Sequence, residues 1–128
     1  MQKIYVKPED LRLYWDYVRK GLLKILSKTP EEWIPEDVYV ECFNNKALLW
    51  AFSQDNRIVG FSVLQPQGDN LHIWCAYFEH NLDPCWQALL EIAEAGGAST
   101  VTFDSHRKGW DVIARKYGFR PRKWIKDI

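Results

Sequence analysis

The sequence predicts a single α/β domain over residues 1–128, built on a mixed sheet with helices on both faces. Three observations support this class: an early amphipathic helix, a central run of three strands joined by short turns, and two later strand–helix steps. The central strands are apolar at successive positions, which is typical of a sheet covered on both sides. The predicted order is β-α-α-β-β-β-α-β-α-β.

The N-terminal third predicts one strand and two helices. Gln2–Val6 is the strand, and apolar residues recur at helical spacing from Leu11 to Leu26 after an acidic first turn. Thr29, followed by Pro30 and two glutamates, predicts a second helix start with a capping box. Pro35 restarts a short helix that ends at the asparagine pair after it.

The sequence after residue 46 predicts an antiparallel meander of three strands, followed by two helix–strand units. Turns are expected at residues 54–56 and 66–69, where Asp, Asn, Gly and Pro cluster. The elements are, in order, strands Ala47–Ser53, Arg57–Leu64 and Asn70–Phe78, a helix ending at Gly96, strand Ser99–Phe103, helix Gly109–Tyr117 and strand Phe119–Trp124.

Composition narrows the functional classes. The net charge is zero, so no overall field attracts nucleic acid or membrane. From residue 105 onward, however, eight basic residues face two acidic ones, a local balance of +6. This basic C-terminal segment could bind a phosphate-bearing ligand or a nucleic acid, or it could form a solvated surface. No nucleic-acid-binding motif supports the nucleic acid.

The three cysteines indicate buried thiols in a reducing compartment. Cys42, Cys75 and Cys85 lie in apolar surroundings without metal-ligand spacing, so neither a disulfide framework nor a metal site is expected. No apolar signal core opens the chain, and no stretch approaches the roughly 18 apolar residues of a membrane span. A cytoplasmic location without membrane attachment is therefore expected.

Two segments carry a resemblance to a known family. They are Asn56-Arg-Ile-Val-Gly-Phe-Ser-Val-Leu64 and Gly109-Trp-Asp-Val-Ile-Ala-Arg-Lys-Tyr-Gly-Phe-Arg-Pro121. With the element order, they resemble the GNAT N-acetyltransferase superfamily over nearly the whole chain. The resemblance implies transfer of an acyl group from acetyl-CoA or another acyl-CoA to a small-molecule or peptide amine. It also implies a last strand that this chain is too short to supply.

The same resemblance implies a glycine-rich pyrophosphate loop between the fourth strand and its helix. Here that loop has no glycine, it carries Glu79 and Asp83, and Pro84 removes a backbone donor, so it is a degenerate loop. The implied cofactor-binding positions are Ala76, Phe78, His80, Asn81, Ser105 and Arg107.

The candidate catalytic residues are His72, Glu41 and Asp104. His72 lies in the strand where the family places a base, and Glu41 lies on the short second helix that helps to line the acceptor site. Asp104 begins a polar Asp-Ser-His run at the end of the fifth strand, and it serves equally well as a helix cap or turn. His72 could likewise be a structural histidine. The position implied for a tyrosine acid is Ala114, and that implied for an asparagine is Arg107.

Two functions therefore remain open from the sequence. The first is an N-acyltransferase with a degenerate loop. The second is a non-catalytic interaction or assembly protein, similar to small proteins of this shape encoded by bacteriophages and associated in some cases with the virion. An exposed sheet edge would then bind a protein partner or a second copy.

Overall fold

The computed structural model describes residues 1–79, 81–104, 110–121 and 126–128, with the backbone alone at residues 110 and 111. The strands are β1 Gln2–Val6, β2 Leu48–Gln54, β3 Arg57–Gln67, β4 Asn70–Phe78 and β5 Thr100–Phe103. The helices are α1 Leu11–Lys28, α2 Pro35–Phe43, α3 Leu82–Ala95 and α4 Trp110–Lys116. A 3-10 turn at Pro8–Asp10 leads into α1.

The five described strands form one sheet in the order β1-β2-β3-β4-β5. The first four are antiparallel to their neighbours, and β5 runs parallel to β4. Parallel neighbours need a crossover connection, which α3 supplies. The mixed α/β fold with a covered sheet is therefore confirmed.

Helices on both faces bury two separate cores. On one face, α1 and α2 contribute Leu11, Val18, Leu22, Val38 and Cys42 to a core shared with the sheet. On the other face, α3 contributes Ala88, Leu89 and Ala93. Phe61 of β3 belongs to the first core, whereas Phe52 of β2 belongs to the second. This division explains why the central strands are apolar at successive positions.

Two β-bulges change which side of the sheet a strand residue faces. In β4, Ile73 pairs with Leu64 and Cys75 pairs with Val63, so Trp74 is the extra residue. Leu71 and Ile73, which precede the bulge, pack on the α3 side, whereas Cys75 and Tyr77, which follow it, pack on the α1 side. A similar shift makes Val59 the extra residue of β3 against β2.

Three predicted elements are wrong at least in part. No helix starts at Thr29, whose backbone N–H instead bonds to Ile25 O at 3.1 Å and ends α1. The segment up to Ile34 is not helical, and the capping contact forms later, from Ile34 N to Asp37 Oδ2 at 2.9 Å. The physical reason is tertiary, because the non-helical segment between Thr29 and Ile34 lets Trp33 enter the first core.

The turn expected at 66–69 is shorter, because β3 continues through Pro66 to Gln67. The β2 ladder ends at Leu64, so Pro66 has β4 alone as its described neighbour and its missing N–H disrupts no ladder toward β2. The final strand does not form at Phe119–Pro121, and the rest of that prediction, residues 122–124, lies outside the described residues. Among the residues described, no helix is both long and apolar enough to cross a bilayer.

Candidate functional site

The site begins where β4 and β5 separate. Their register pairs run from Asn70 with Thr100 to Ile73 with Phe103, and then stop. Strand β4 continues for five more residues, to Phe78. In the part of the chain that the structure describes, no strand pairs with this stretch on the β5 side. Backbone N–H and C=O groups on such an edge can hydrogen-bond an extended ligand.

The bulge lies at the same point. Trp74 is the first β4 residue beyond the paired region, and it has no opposing residue in β3. The hydroxyl of buried Ser62 on β3 donates to the carbonyl of Cys75 at 3.3 Å, and this bond holds β4 against β3 directly after the bulge. Bulges often re-aim side chains beside functional sites.

A wide groove beside this point is lined by all three catalytic candidates, and among the described contacts one joins two of them, His72 and Asp104. We call it the α2–β4 groove, and its lining includes Glu31, Trp33, Glu41, His72, Trp74 and Asp104. The rings of Trp33 and Trp74 meet edge to face, with centroids 6.5 Å apart. Among the described residues that line the whole groove, six are acidic and two, Arg115 and Arg120, are basic, so this lining favours a cationic ligand.

His72 is held between two side chains of the β5 segment. Its Nδ1 lies 2.9 Å from Thr102 Oγ1, and its Nε2 lies 3.9 Å from Asp104 Oδ2. The imidazole is mostly buried, whereas the Asp104 side chain is largely exposed. The parallel register of β4 and β5 explains why these two catalytic candidates meet.

The first turn of α3 is occupied by groups of the chain itself. Asn81 caps the helix by accepting from Asp83 N at 3.0 Å. The Asp83 carboxylate accepts a hydrogen bond from the Tyr117 hydroxyl and lies 3.9 Å from Lys116 Nζ. This bond to Asp83 raises the pKa of Tyr117 above its usual value of 10.0. An acidic side chain therefore lies where the family resemblance implies a pyrophosphate.

Aromatic packing holds α4 and the following segment against α3 and β5. The ring of Trp86 lies 5.7 Å from that of Tyr117 and 5.0 Å from that of Phe119. Phe119 also meets Phe103 edge to face at 4.9 Å. Tyr117 thus packs at the end of α4, and Phe119 turns back toward the sheet.

The six cofactor positions implied by the resemblance divide into three groups. Ala76 lies on the unpaired stretch of β4, opposite Ser62 of β3. Phe78 packs into the α3-side core, 5.8 Å from Phe52, and Asn81 caps α3, so both have structural roles. The other three, His80, Ser105 and Arg107, lie outside the described residues.

The three thiols are buried and resist ionisation. Burial, with a smaller contribution from Glu41, raises the pKa of Cys42 to about 12. Burial raises the pKa of Cys85 to about 11, and it raises that of Cys75 as well. These are not the exposed, electropositive surroundings of a nucleophilic thiol. Within the described ranges, no group of three metal-binding side chains occurs.

Sequence reasoning missed Thr102, Asn70 and Trp33 as members of this site. The alternation of threonines in Thr100-Val-Thr-Phe103 was a signal, since both threonine side chains of a strand with that spacing share one face. Their partners on β4 depend on a register that composition does not reveal. Trp33 lay inside the predicted helix that does not form.

Comparisons with known proteins give the fold a context. No protein-family model matches the chain, and no curated protein matches its sequence. A solved structure of a probable acetyltransferase matches with a TM-score of 0.70 at 16% identity, covering 100% of this chain and 95% of the other. A predicted acetyltransferase with acetyl-CoA from Clostridium acetobutylicum matches at 0.66 and 17% identity, covering 99% and 95%.

An acceptor-bound structure also matches. It is an aminoglycoside acetyltransferase from an uncultured soil metagenomic sample in complex with sisomicin, with a TM-score of 0.65, 13% identity and coverage of 99% and 93%. These structures are GNAT acetyltransferases, and the present chain has their fold along its whole length. At such identities the likeness establishes the fold, and chemistry has to be argued from the site.

Proposed function

We propose that this chain is an acyl-CoA-dependent N-acyltransferase, which moves an acyl group from a thioester to an amine. The observation that carries the proposal is the separation of β4 from β5 at Trp74, directly beside the α2–β4 groove. An extended ligand can pair with the open stretch of β4 while a second ligand approaches from the groove. Transfer between two substrates needs such an arrangement, because it brings the reacting atoms together.

The residues present fit an acyl-CoA in part. The unpaired backbone of β4 fits the extended arm, and the small side chain of Ala76 leaves room beside it. The first turn of α3 does not fit a pyrophosphate well, because Asp83 places a carboxylate there. Lys116, 3.9 Å from that carboxylate, is a cation that could offset it. When bound, the acyl-CoA supplies an activated thioester.

The acidic residues that line the α2–β4 groove indicate which kind of acceptor it would bind. Glu31, Glu41 and Asp104 attract the ammonium form of an amine and raise its local concentration. An amine must lose a proton to react as a nucleophile, so a proton acceptor has to stand nearby. His72, Glu41 and Asp104 are the three candidates for that role, and all three line the same groove.

The test is binding followed by turnover. Isothermal titration with CoA, acetyl-CoA and longer acyl-CoAs should give heat, and amine-dependent release of free CoA should follow with a di- or polyamine panel. Ala76→Trp should abolish binding by filling the space beside β4. Ala95→Trp, on the exposed end of α3, should leave binding unchanged. Absence of heat with every acyl-CoA would contradict the proposal.

The alternative function is a non-catalytic interaction or assembly protein. The contact of Asp83 with Tyr117 favours it, because that contact closes the first turn of α3 with the chain's own groups. A protein partner or a second copy would then bind at a sheet edge. Light scattering at high concentration, in a preparation that fails to bind acyl-CoA, distinguishes the cases: a dimer supports self-assembly, and a monomer without partners contradicts it.

A further inference from the structure

Four polar side chains, alternately from β5 and β4, form a hydrogen-bonded series that ends at His72 of β4. Thr100 Oγ1 donates to Asn70 Oδ1 at 2.9 Å. Asn70 Nδ2 donates in turn to Thr102 Oγ1 at 2.8 Å. Thr102 Oγ1 lies 2.9 Å from His72 Nδ1. The four residues form two directly opposed pairs in the parallel register, so the pairing of the two strands holds this hydrogen-bonded series in place.

The direction of these hydrogen bonds follows from the Asn70 amide. Its Nδ2 lies near two acceptors, Thr102 Oγ1 at 2.8 Å and Gln67 Oε1 at 3.4 Å, whereas its Oδ1 faces the Thr100 hydroxyl. Rotating the Asn70 amide alone would place its carbonyl oxygen against that of Gln67, an unfavourable contact of two acceptors. In this orientation the amino group of Asn70 points toward Thr102.

The neighbours of the two ring nitrogens assign the proton on His72. The Asp104 carboxylate, whose Oδ2 lies 3.9 Å from Nε2, favours a proton on that nitrogen, because a carboxylate oxygen can only accept. Nδ1 is then the unprotonated nitrogen of the neutral ring, and the Thr102 hydroxyl, which accepts from Asn70 with one lone pair, donates its hydrogen to Nδ1, 2.9 Å away. The proton of neutral His72 consequently lies on Nε2, the nitrogen nearer to Asp104.

We propose that Thr102 is a positioning residue that holds His72 in the Nε2–H tautomer, so that His72 presents a hydrogen-bond donor to the α2–β4 groove. A nitrogen that already carries a proton cannot accept another from the amine. Of the three catalytic candidates, this leaves Glu41 or Asp104 as the proton acceptor. This last step rests on the proposed acyltransferase function, whereas the tautomer does not.

The direct test is the ¹⁵N spectrum of the histidine ring, recorded above the ordinary histidine pKa of about 6.5. His72→Gln identifies the signals of His72 among the three histidines. We expect Nδ1 to have the shift of an unprotonated nitrogen and Nε2 that of a protonated one. The reverse assignment in the native protein would overturn the proposal.

Matched variants of β5 separate positioning from general stability. Thr102→Val removes the hydroxyl at nearly constant shape and should shift His72 toward a mixture of tautomers. Thr102→Ser should restore the native spectrum. Thr100→Val makes the same change two residues away on the same face of β5 and should leave Nδ1 unprotonated. An unchanged His72 spectrum in folded Thr102→Val would contradict a positioning role.

Turnover distinguishes this inference from the proposed function. The side-chain amide of His72→Gln offers an N–H donor in place of Nε2–H, so kcat should fall by less than about tenfold. Removing a general base would instead lower it by about 10²-fold or more. A loss of that size would show that His72 is the base after all. If no amine is acylated, the acyltransferase proposal fails while the ring spectrum still decides the tautomer.

Discussion

Gly21 of α1 lies so close to Phe61 of β3 that a Cβ built on the glycine would be 2.5 Å from Phe61 Cε1. The same Cβ would be 3.0 Å from Cδ2 of Tyr77 on β4. Phe61 is fully buried, so its ring cannot move into solvent. The absence of a side chain at Gly21 therefore sets how closely α1 approaches the sheet.

We expect Gly21→Ala to lower the free energy of unfolding, measured by urea denaturation. Overpacking costs about 1–3 kcal/mol, and the better helix propensity of alanine returns up to about 1 kcal/mol, so a net loss should remain. Gly96→Ala is the control, because its nearest contact would be an ordinary 3.5 Å, to Ile92 O. Equal effects at the two sites would contradict the close packing of α1.

Two adjacent leucines of α1 provide a test of the first core. Leu22 is completely buried, whereas Leu23 is 42% exposed. Leu22→Ala should cost about 2–5 kcal/mol of unfolding free energy, because it leaves a cavity under the helix. Leu23→Ala should cost about 0.5 kcal/mol or less, since it removes a surface side chain and keeps helix propensity. A reversed order would show that α1 has a different face on the sheet.

The three thiols should be unreactive in the folded protein. With pKa values of about 12 for Cys42 and about 11 for Cys85, almost no thiolate is present at pH 8. Iodoacetamide should add no label to the native chain within a time that labels all three cysteines in urea, as read by intact mass. Rapid native labelling of any of them would contradict their burial.

The same shifts give a pH dependence of stability. The folded thiols have pKa values above the unfolded value of about 8.5, so their stabilising effect is complete below that pH. It should be lost as pH rises, because the unfolded chain releases its thiol protons first. Urea midpoints should therefore fall from pH 8 to pH 10. Replacing Cys42 with alanine should reduce this slope, and an unchanged slope would contradict the assignment.

Asp83 should weaken whatever binding of CoA occurs at the first turn of α3. Asp83→Asn removes a negative charge there and should tighten CoA binding about two- to fivefold, measured by titration calorimetry at low salt. Glu94→Gln, at the other end of α3, is the control and should have no effect. Weaker binding in Asp83→Asn would mean that the carboxylate helps the ligand to bind.

Tyr117 reports on the same contact by a separate signal. Its phenol pKa is raised because the hydroxyl donates to Asp83, and Asp83→Ala should return it toward the usual value of 10.0. The measurement is the ultraviolet difference spectrum between each protein and its Tyr117→Phe derivative during alkaline titration. Identical titration of Tyr117 with and without Asp83 would show that the contact does not form in solution.

Sequence patterns correctly predicted the elements whose ends are marked by turn residues next to them in the chain. Asn70–Phe78 was predicted with both ends correct, because turn residues flank a strongly apolar run. The helix predicted at Thr29 does not form because a capping pattern is only a local preference, and burying Trp33 in the first core favours a non-helical backbone there. The pattern was present, but tertiary packing determined the conformation.

The candidate site was predictable to a similar degree. That His72 and Asp104 lie close together follows from two neighbouring strands that run parallel, an arrangement the element order already indicates. The role of Thr102 depends on which residue of β5 faces which residue of β4, and nothing in either strand alone specifies that register. The bulge at Trp74 was equally hidden, since no glycine or other turn residue accompanies it in β4.

The bulge at Trp74 also has a consequence for how this chain can be aligned and how it can diverge. The extra residue shifts the alternation of faces by one position for every residue that follows it in β4. An ungapped alignment with a strand that lacks the bulge would therefore match residues that face α1 with residues that face α3. Deleting Trp74 would instead join Ile73 directly to Cys75, which already face opposite sides, so Cys75 and Tyr77 would keep their β3 partners on the α1 side. A one-codon deletion at this position would therefore remove the bulge and the ring that meets Trp33 while leaving the buried residues of both cores as they are.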